Sequence, residues 1–219
     1  MLCGAAASDQ AICSGCITDL PHYSLPHCPT CAIPTSEGQL CGICLQRPPA
    51  QDRTLAAFSY AFPVDQLIQA LKYQQRLAIA PVLGRALARV ADTCVRPDVL
   101  IPMPLHPKRL QHRGFNHATE IAREVARELN LPLDGSACKR IRDTPPQVAL
   151  AYDQRRRNVR DAFACHGKII GKRVALIDDV MTTGTSLAEL ASTLKQAGAR
   201  EVEAWVIART LPPADTVHA

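Results

Sequence analysis

Val174-Ala175-Leu176-Ile177-Asp178-Asp179-Val180-Met181-Thr182-Thr183-Gly184-Thr185-Ser186 is the stretch that decides how this 219-residue chain is read. Val174 to Ile177 form an uninterrupted apolar run, the pattern of a strand buried on both faces of a parallel sheet. The strand is predicted to end in the adjacent acids Asp178 and Asp179. A five-residue loop of hydroxyl residues and glycine, Thr182 to Ser186, is predicted to follow and open a helix. In that helix Leu187, Leu190, Ala191 and Leu194 fall at i, i+3, i+4 and i+7, and Gly198 closes it. Small residues at a helix N-terminus offer backbone N–H groups and the positive end of the dipole to an anion. Acids at the carboxyl end of a parallel strand stand where open α/β folds bind ligands. A phosphate holder beside two diol holders describes a sugar phosphate site. Thr and Ser also cap helices routinely, but a cap needs one hydroxyl and leaves two adjacent acids unexplained.

The flanking sequence supplies the rest of an α/β fold. Residues 54–62 read as a strand, 64–76 and 79–93 as helices, and Val99-Leu100-Ile101 as a buried strand. Residues 117–129 form another helical pattern through Ile121, Val125 and Leu129, and residues 202–208 a last apolar strand. Strands alternating with helices predict a mostly parallel, doubly wound sheet.

Ten cysteines are present, seven of them within the first 44 residues. Cys13/Cys16, Cys28/Cys31 and Cys41/Cys44 each have two residues between them, the spacing that brings two thiolates to one metal. Cys28, Cys31, Cys41 and Cys44 therefore make a complete four-cysteine site for structural zinc. Cys3, Cys13 and Cys16 make an incomplete one: Ala6 stands where a fourth cysteine would complete the pattern, leaving Asp9, His22 or His27 as candidate fourth ligands, a weak or empty site, or a pairing that crosses the knuckles. Cys94, Cys138 and Cys165 have no partner spacing and are expected as packing residues. Residues 1–50 are thus expected as a cysteine-rich, double zinc ribbon and residues 51–219 as the α/β domain. A segment so poor in apolar residues needs the metal as a staple.

Charge follows the same division. Residues 1–52 carry one arginine against four acids, a net charge of −3, and residues 53–219 carry 24 basic against 16 acidic residues, a net charge of +8. The basic part suits phosphate-rich ligands or nucleic acid, whereas DNA binding by the acidic ribbon is disfavoured. Aromatic content of 4% leaves few platforms for stacking the bases of single-stranded DNA. No apolar run reaches the roughly 18 residues of a membrane span, and the start lacks a signal-peptide pattern, so a cytoplasmic protein without membrane insertion is expected. Two basic segments have chemical potential. Leu105-His106-Pro107-Lys108-Arg109-Leu110-Gln111-His112-Arg113-Gly114-Phe115-Asn116 follows the carboxyl end of a strand, where Leu105, His106, Arg109 and Arg113 would meet a diphosphate. Residues 139–160 hold seven cations and two acids, and a basic loop there, with Arg155, would close over a phosphorylated ligand.

The thirteen residues of the opening stretch resemble the 5-phosphoribosyl-1-diphosphate (PRPP) signature of type I phosphoribosyltransferases. The resemblance implies that Thr182, Thr183, Gly184, Thr185 and Ser186 hold the 5′-phosphate and that Asp178 and Asp179 hold the ribose hydroxyls. The cysteine pairs, Arg113-Gly114-Phe115-Asn116, Gln147 followed by Arg155 and Asn158, and the PRPP signature occur in one order, and together resemble the ComF family of competence and GntX-like proteins across nearly the whole chain. That resemblance implies phosphoribosyl transfer with release of diphosphate, linked to competence, DNA uptake or use of external DNA as a nutrient. Mg²⁺ would accompany PRPP, and Arg109, Arg113 and Arg155 would neutralise diphosphate beside Asp178 and Asp179. Purine-salvage relatives place an acid at the position of Thr182, so a hypoxanthine or guanine acceptor is disfavoured. A non-catalytic PRPP- or nucleotide-binding protein and a single-stranded-DNA accessory are the alternatives. DNA-uptake machinery or a helicase, and a second copy of the chain, are the partners to be expected.

Overall fold

The computed structural model describes residues 3, 11–144 and 159–211; Asp9, Gln147, Arg155 and Asn158 lie outside them. Strands β1 (Arg53–Ser59), β2 (Val99–Pro102), β5 (Arg173–Met181) and β6 (Glu201–Arg209) form a four-stranded sheet in the order β1-β6-β5-β2, parallel at every pairing. Helices α3 (Val64–Tyr73), α4 (Ile79–Ala91) and α6 (His117–Leu129) cover one face, and α7 (Thr185–Gln196) covers the other. The sheet is doubly wound, as the alternation of patterns predicts.

The pleat of the strands decides which helix each residue meets. Ala175 and Ile177 of β5, with Trp205 and Ile207 of β6, pack on Leu67, Leu71, Leu83, Leu87 and Ile121 of the first helical layer. Val174 and Leu176, with Val202, Ala204 and Val206, pack on Leu187, Leu190, Ala191 and Leu194 of α7. Val174 to Ile177 meet apolar side chains on both faces of the sheet, which accounts for their uninterrupted apolar reading.

The cysteine-rich segment packs on the sheet edge. Short helices α1 (Ser14–Thr18) and α2 (Gly42–Gln46) each start directly after a cysteine, Cys13 and Cys41. Between them, His22 forms an antiparallel bridge with Phe58, Tyr23 N–H donates to the Ala57 carbonyl (3.0 Å) and Ser59 N–H donates to the Pro21 carbonyl (2.8 Å). The outer edge of β1 is thereby covered. Ile12 and Leu20 join the core on the α3/α4/α6 side, while Cys28, Cys31 and Cys44 join the core on the α7 side. The ribbon straddles the sheet and contributes to both layers.

Three expectations change. The strand reaches Met181, so Asp178 and Asp179 lie within β5; parallel pairing to β6 continues through Asp178↔Val206 and Met181↔Arg209. The basic stretch after β2 contains a helix, α5 (Pro107–Arg113), with Pro107 in its first turn and Gly114 left-handed (φ 82°) at its end, both signals present in the sequence. Cys138 and Cys165 are joined rather than merely packed: β3 (Cys138–Arg140) and β4 (Phe163–Cys165) pair antiparallel with these two residues directly opposed, Cα–Cα 4.2 Å, in a disulfide. Their 27-residue separation carries no spacing signal, because only the strand pairing opposes them. Cys94 is partly buried against the core as expected.

Helices α4 and α6 approach most closely at Gly84, where an added Cβ would stand 2.6 Å from Glu124 Cβ and 3.1 Å from the Ile121 carbonyl oxygen. In a helix interior Gly→Ala ordinarily gains roughly 0.5–1 kcal/mol; here the overlap outweighs that gain. Gly84→Ala is expected to destabilise the chain by about 1–3 kcal/mol, read as a lower urea midpoint at unchanged m-value.

Candidate functional site

Three loops at the carboxyl edge of the sheet build the site, and that of β5 is the most constrained. After Met181 the chain runs through Thr182 and Thr183 to Gly184, whose φ of 75° is left-handed and which is the N-cap of α7. A Cβ at Gly184 would collide with Met181 Cε as well as strain the backbone. Gly184 supplies no capping side chain, so the cap residue does not compete with an anion at the head of this 12-residue helix. The loop proper is therefore Thr182 to Gly184, while Thr185 and Ser186 belong to the first helical turn. The left-handed glycine starts the helix two residues earlier than the hydroxyl pattern predicts. Thr183 Oγ1 and Thr185 Oγ1 lie 3.0 Å apart across the cap.

The two acids differ in burial and in partners although their carboxylates stay close. Asp179 follows Ala175 and Ile177 to the α3/α6 side and is 3% exposed. There it pairs with Lys72 of α3 and faces His117 Nε2 of α6 at 3.6 Å. Arg113 Nη1 stands 2.7 Å from His117 Nδ1. A guanidinium only donates, so Nδ1 accepts and the ring proton sits on Nε2, directed at Asp179. Arg113 also lies over the Tyr73 ring, 5.4 Å from its centroid. Burial pushes Asp179 upward, but Lys72 and His117 override it and hold the carboxyl well below its ordinary range. Asp178 keeps partial exposure, with a carboxylate oxygen within 4.8 Å of ligand atoms of Asp179 and His117. Burial, then the charge of Asp179, push it up to about 8, opposed by Lys72. Two neighbouring carboxyls are thus driven apart by their environments.

The β2 side contributes cations. His106 is the N-cap of α5, its Nδ1 3.8 Å from Asp143 Oδ1, and Lys108 Nζ lies 3.7 Å from Asp143 Oδ2. Arg109 donates to the Thr144 carbonyl and Arg140 to the Thr144 hydroxyl. Arg140 is 8% exposed and stacks on Phe163, 5.5 Å from its centroid. Burial and the nearby Arg109 weaken its hold on its proton, and Asp178 strengthens it. The structure therefore brings a carboxylate oxygen of Asp178, one of Asp179 and a ring nitrogen of His117 within 4.8 Å of one another, with Lys72 on Asp179, Arg113 on His117 and the charge of Asp178 felt by Arg140. Lys72, His117 and Arg140 were not singled out by sequence. Lys72 and His117 sit on helices with no motif around them, and Arg140 is one cation in a charged run.

Sulfur atoms of Cys28, Cys31, Cys41 and Cys44 all lie within 4.8 Å of one another, with Cys31 and Cys41 sulfurs 3.6 Å apart. Tetrahedral zinc with Zn–S of about 2.3 Å places its sulfurs about 3.8 Å apart, so these residues fit structural zinc. Cys3, Cys13 and Cys16 also converge, which leaves the two sets uncrossed. His22 instead stacks on Phe58 (centroids 5.1 Å apart) and His27 Nδ1 is 2.7 Å from the Leu25 carbonyl, so neither joins that trio. Between the ribbon and the β5 loop lies a cavity of about 610 Å³, bounded among others by Ile33, Ile43, Pro49, Thr182, Ser192 and Leu211. Among the described residues no helix is long and apolar enough to cross a membrane.

These features belong together in known proteins. The family model for a phosphoribosyl transferase domain matches residues 116–217, and that for a double zinc ribbon domain matches residues 1–45. The class is a phosphoribosyltransferase fold carrying a zinc ribbon. Within it, the chain is 37% identical over 191 residues to the DNA utilization protein YhgH of Escherichia coli O157:H7, covering 84% of each chain. It is 33% identical over 210 residues to Competence protein F of Haemophilus influenzae, covering 91% of each, and 22% identical over 204 residues to Competence protein ComFC of Streptococcus pneumoniae, covering 92% of this chain and 89% of that one. The chain belongs to this ComF/YhgH family of competence and DNA utilization proteins.

Lys72→Met leaves the Asp179 carboxylate buried without its cation and is expected to cost about 3–5 kcal/mol of stability, measured by chemical denaturation. A pH series tests the divergence of the two acids. The folded value of Asp178 lies above the ordinary 3.8, so its contribution to stability is complete below about pH 4 and is lost as pH rises through about 8. Asp179 contributes in the opposite sense, present above the ordinary carboxylate value and lost as pH falls below it. Asp178→Asn, which mimics the protonated acid, is therefore expected to gain melting temperature relative to the parent chain as pH rises from about 6 to 9.

Proposed function

We propose that the chain binds PRPP at the carboxyl edge of β5 and transfers its phosphoribosyl group to an acceptor, releasing diphosphate, in the service of competence or the use of external DNA. The observation that carries this reading is the β5–α7 connection. A left-handed glycine without a capping side chain starts the helix next to a partly exposed acid, with Arg109 and Arg140 held at Thr144 on the β2 side. The head of α7 and Thr182, Thr183, Thr185 and Ser186 hold the 5′-phosphate. Asp178 accepts hydrogen bonds from the ribose diol. Asp179, turned towards Lys72 and His117, positions the strand end instead of touching the sugar. Arg109 and Arg140 face the diphosphate, where bidentate guanidinium contacts favour departure of its negative charge. Leu105 and His106 line the diphosphate side, and Arg155 belongs to the segment that closes over the ligand.

Loss of diphosphate leaves positive charge on the ribose ring, so the rate comes from alignment and from groups placed to meet charge. Asp178, beside Asp179 and His117, would be the donor to suit Mg²⁺ together with the oxygens of PRPP, and the ion would supply neutralisation of the diphosphate when bound. The cavity bounded by Thr182 and the ribbon is assigned to the acceptor. Its apolar walls and hydroxyls fit a planar, weakly charged heterocycle.

PRPP with Mg²⁺, at about a hundred times its Kd, is expected to raise the melting temperature by roughly 5–10 °C, and Asp178→Asn to abolish the rise. Diphosphate release is then assayed against a panel of nucleobases and amines. Release with one of them establishes transfer, and none with any acceptor reduces the protein to PRPP binding without turnover. Salt-sensitive binding of single-stranded DNA that survives Asp178→Asn, without any PRPP response, would replace the reading by direct DNA handling.

A further inference from the structure

Arg209, the last residue of β6, is 3% exposed. Its Nε donates to the Cys31 carbonyl (2.8 Å) in the second zinc knuckle. Its Nη1 faces the carbonyls of Met181 (2.9 Å), Thr182 (2.5 Å) and Thr210 (2.9 Å) at the start of the phosphate loop. One buried guanidinium thus spans a metal knuckle and the loop that the proposed function assigns to the 5′-phosphate. No carboxylate among the described residues pairs with it.

A buried cation without a counter-ion is costly, and the hydrogen-bonded carbonyls supply dipoles but no charge. The groups around Arg209 that carry or can acquire negative charge are the Cys31 and Cys41 sulfurs and the Tyr23 phenol. Tyr23 is pushed up to about 12 by burial and stays neutral. The four sulfurs of Cys28, Cys31, Cys41 and Cys44 are placed to hold one metal, and a bound metal would fix the knuckle whose Cys31 carbonyl accepts from Arg209. The knuckle is firmly held on the domain side as well: Thr54 Oγ1 donates to the Thr30 carbonyl (2.6 Å) and Thr54 N–H to the Pro29 carbonyl (2.8 Å). Its position is therefore passed on to Arg209 rather than absorbed by slack.

We propose that Arg209 is a positioning residue that couples the Cys28/Cys31/Cys41/Cys44 zinc site to the phosphate loop, through the Cys31 carbonyl on one side and the Met181 and Thr182 carbonyls on the other, so that metal occupancy sets how firmly the loop is held. Loss of zinc frees the knuckle and with it the Cys31 carbonyl that orients the guanidinium. The carbonyls of Met181 and Thr182 then lose their shared donor, and the loop is released. Coupling between sites is reciprocal, so a ligand that fastens the loop also retains the metal. The inference rests on the phosphate-loop reading only for the identity of the ligand.

Hydrogen–deuterium exchange of the full chain, zinc-loaded and after zinc removal by a chelator, tests this without a ligand. The peptide covering residues 180–187 is expected to exchange about 5- to 150-fold faster after removal, the range of ordinary site-to-site coupling, while the β2 peptide covering residues 99–102 is unchanged. Zinc-loaded Arg209→Gln is expected to show the fast loop from the outset, with zinc removal adding nothing. Arg209→Lys keeps the charge but cannot span the carbonyls, and is expected to match it. Cys13→Ser, which disturbs only the first cysteine set, is expected to leave the loop slow. A loop indifferent to zinc removal, or one that loosens together with β2, overturns the coupling. PRPP with Mg²⁺ is then titrated into both forms. Equal affinity for zinc-loaded and zinc-free chain overturns the coupling while sparing the PRPP reading. Failure of PRPP to bind either form, with the exchange response intact, overturns the PRPP reading and leaves the coupling standing.

Discussion

A central parallel strand that ends in two adjacent acids has to hold both carboxyls at the edge of a packed core, and β5 does so by giving them different partners and different burial. Asp179 enters the layer of α3 and α6, where a charge is tolerable only because Lys72 and His117 meet it. Asp178 stays partly exposed, close to Asp179 and His117 and within electrostatic reach of Arg140. Two adjacent carboxyls in one low-dielectric region repel, and the structure resolves that repulsion by anchoring one and leaving the other to change its charge. The geometry of the candidate site descends from this division. It gives a pair of identical residues two different tasks.

The ribbon is an integral wall of the domain. Its first half supplies Ile12 and Leu20 to one core layer and its second half supplies three cysteines to the other, while residues 21–23 cover the open edge of β1. A parallel sheet with an uncovered edge strand exposes unpaired backbone groups. Placing a metal-stapled module there covers that edge and also closes the cavity beside the β5–α7 loop. The module and that loop consequently share a boundary, and Arg209 lies in it.

Elements whose signal is local were legible beforehand. The buried run of Val174 to Ile177, the helical spacing of Leu187 to Leu194 and the paired cysteines each depend on neighbours within a few residues. Each appears in the structure close to where the sequence puts it. Even α5 was announced by Pro107 and Gly114, although the basic residues between them drew the reading towards a loop. What stayed hidden depends on contacts between distant segments. Lys72 meets Asp179 across more than a hundred residues, Cys138 meets Cys165 only through strand pairing, and Arg209 reaches back to Cys31.

The sequence by itself determined the periodicities, the caps, the cysteine spacing and the phosphate-loop composition, and with them the α/β class, the ribbon and the family resemblance. Those are properties of short windows, where backbone geometry converts residue order directly into which groups face together. Tertiary structure alone decided that Asp178 and Asp179 have different partners, that Arg140 is buried against Phe163 and Thr144, and that the ribbon is joined to the loop. A charge acquires its partner, and hence its protonation and its task, only when the layers pack and exclude water. That partner can come from anywhere along the chain.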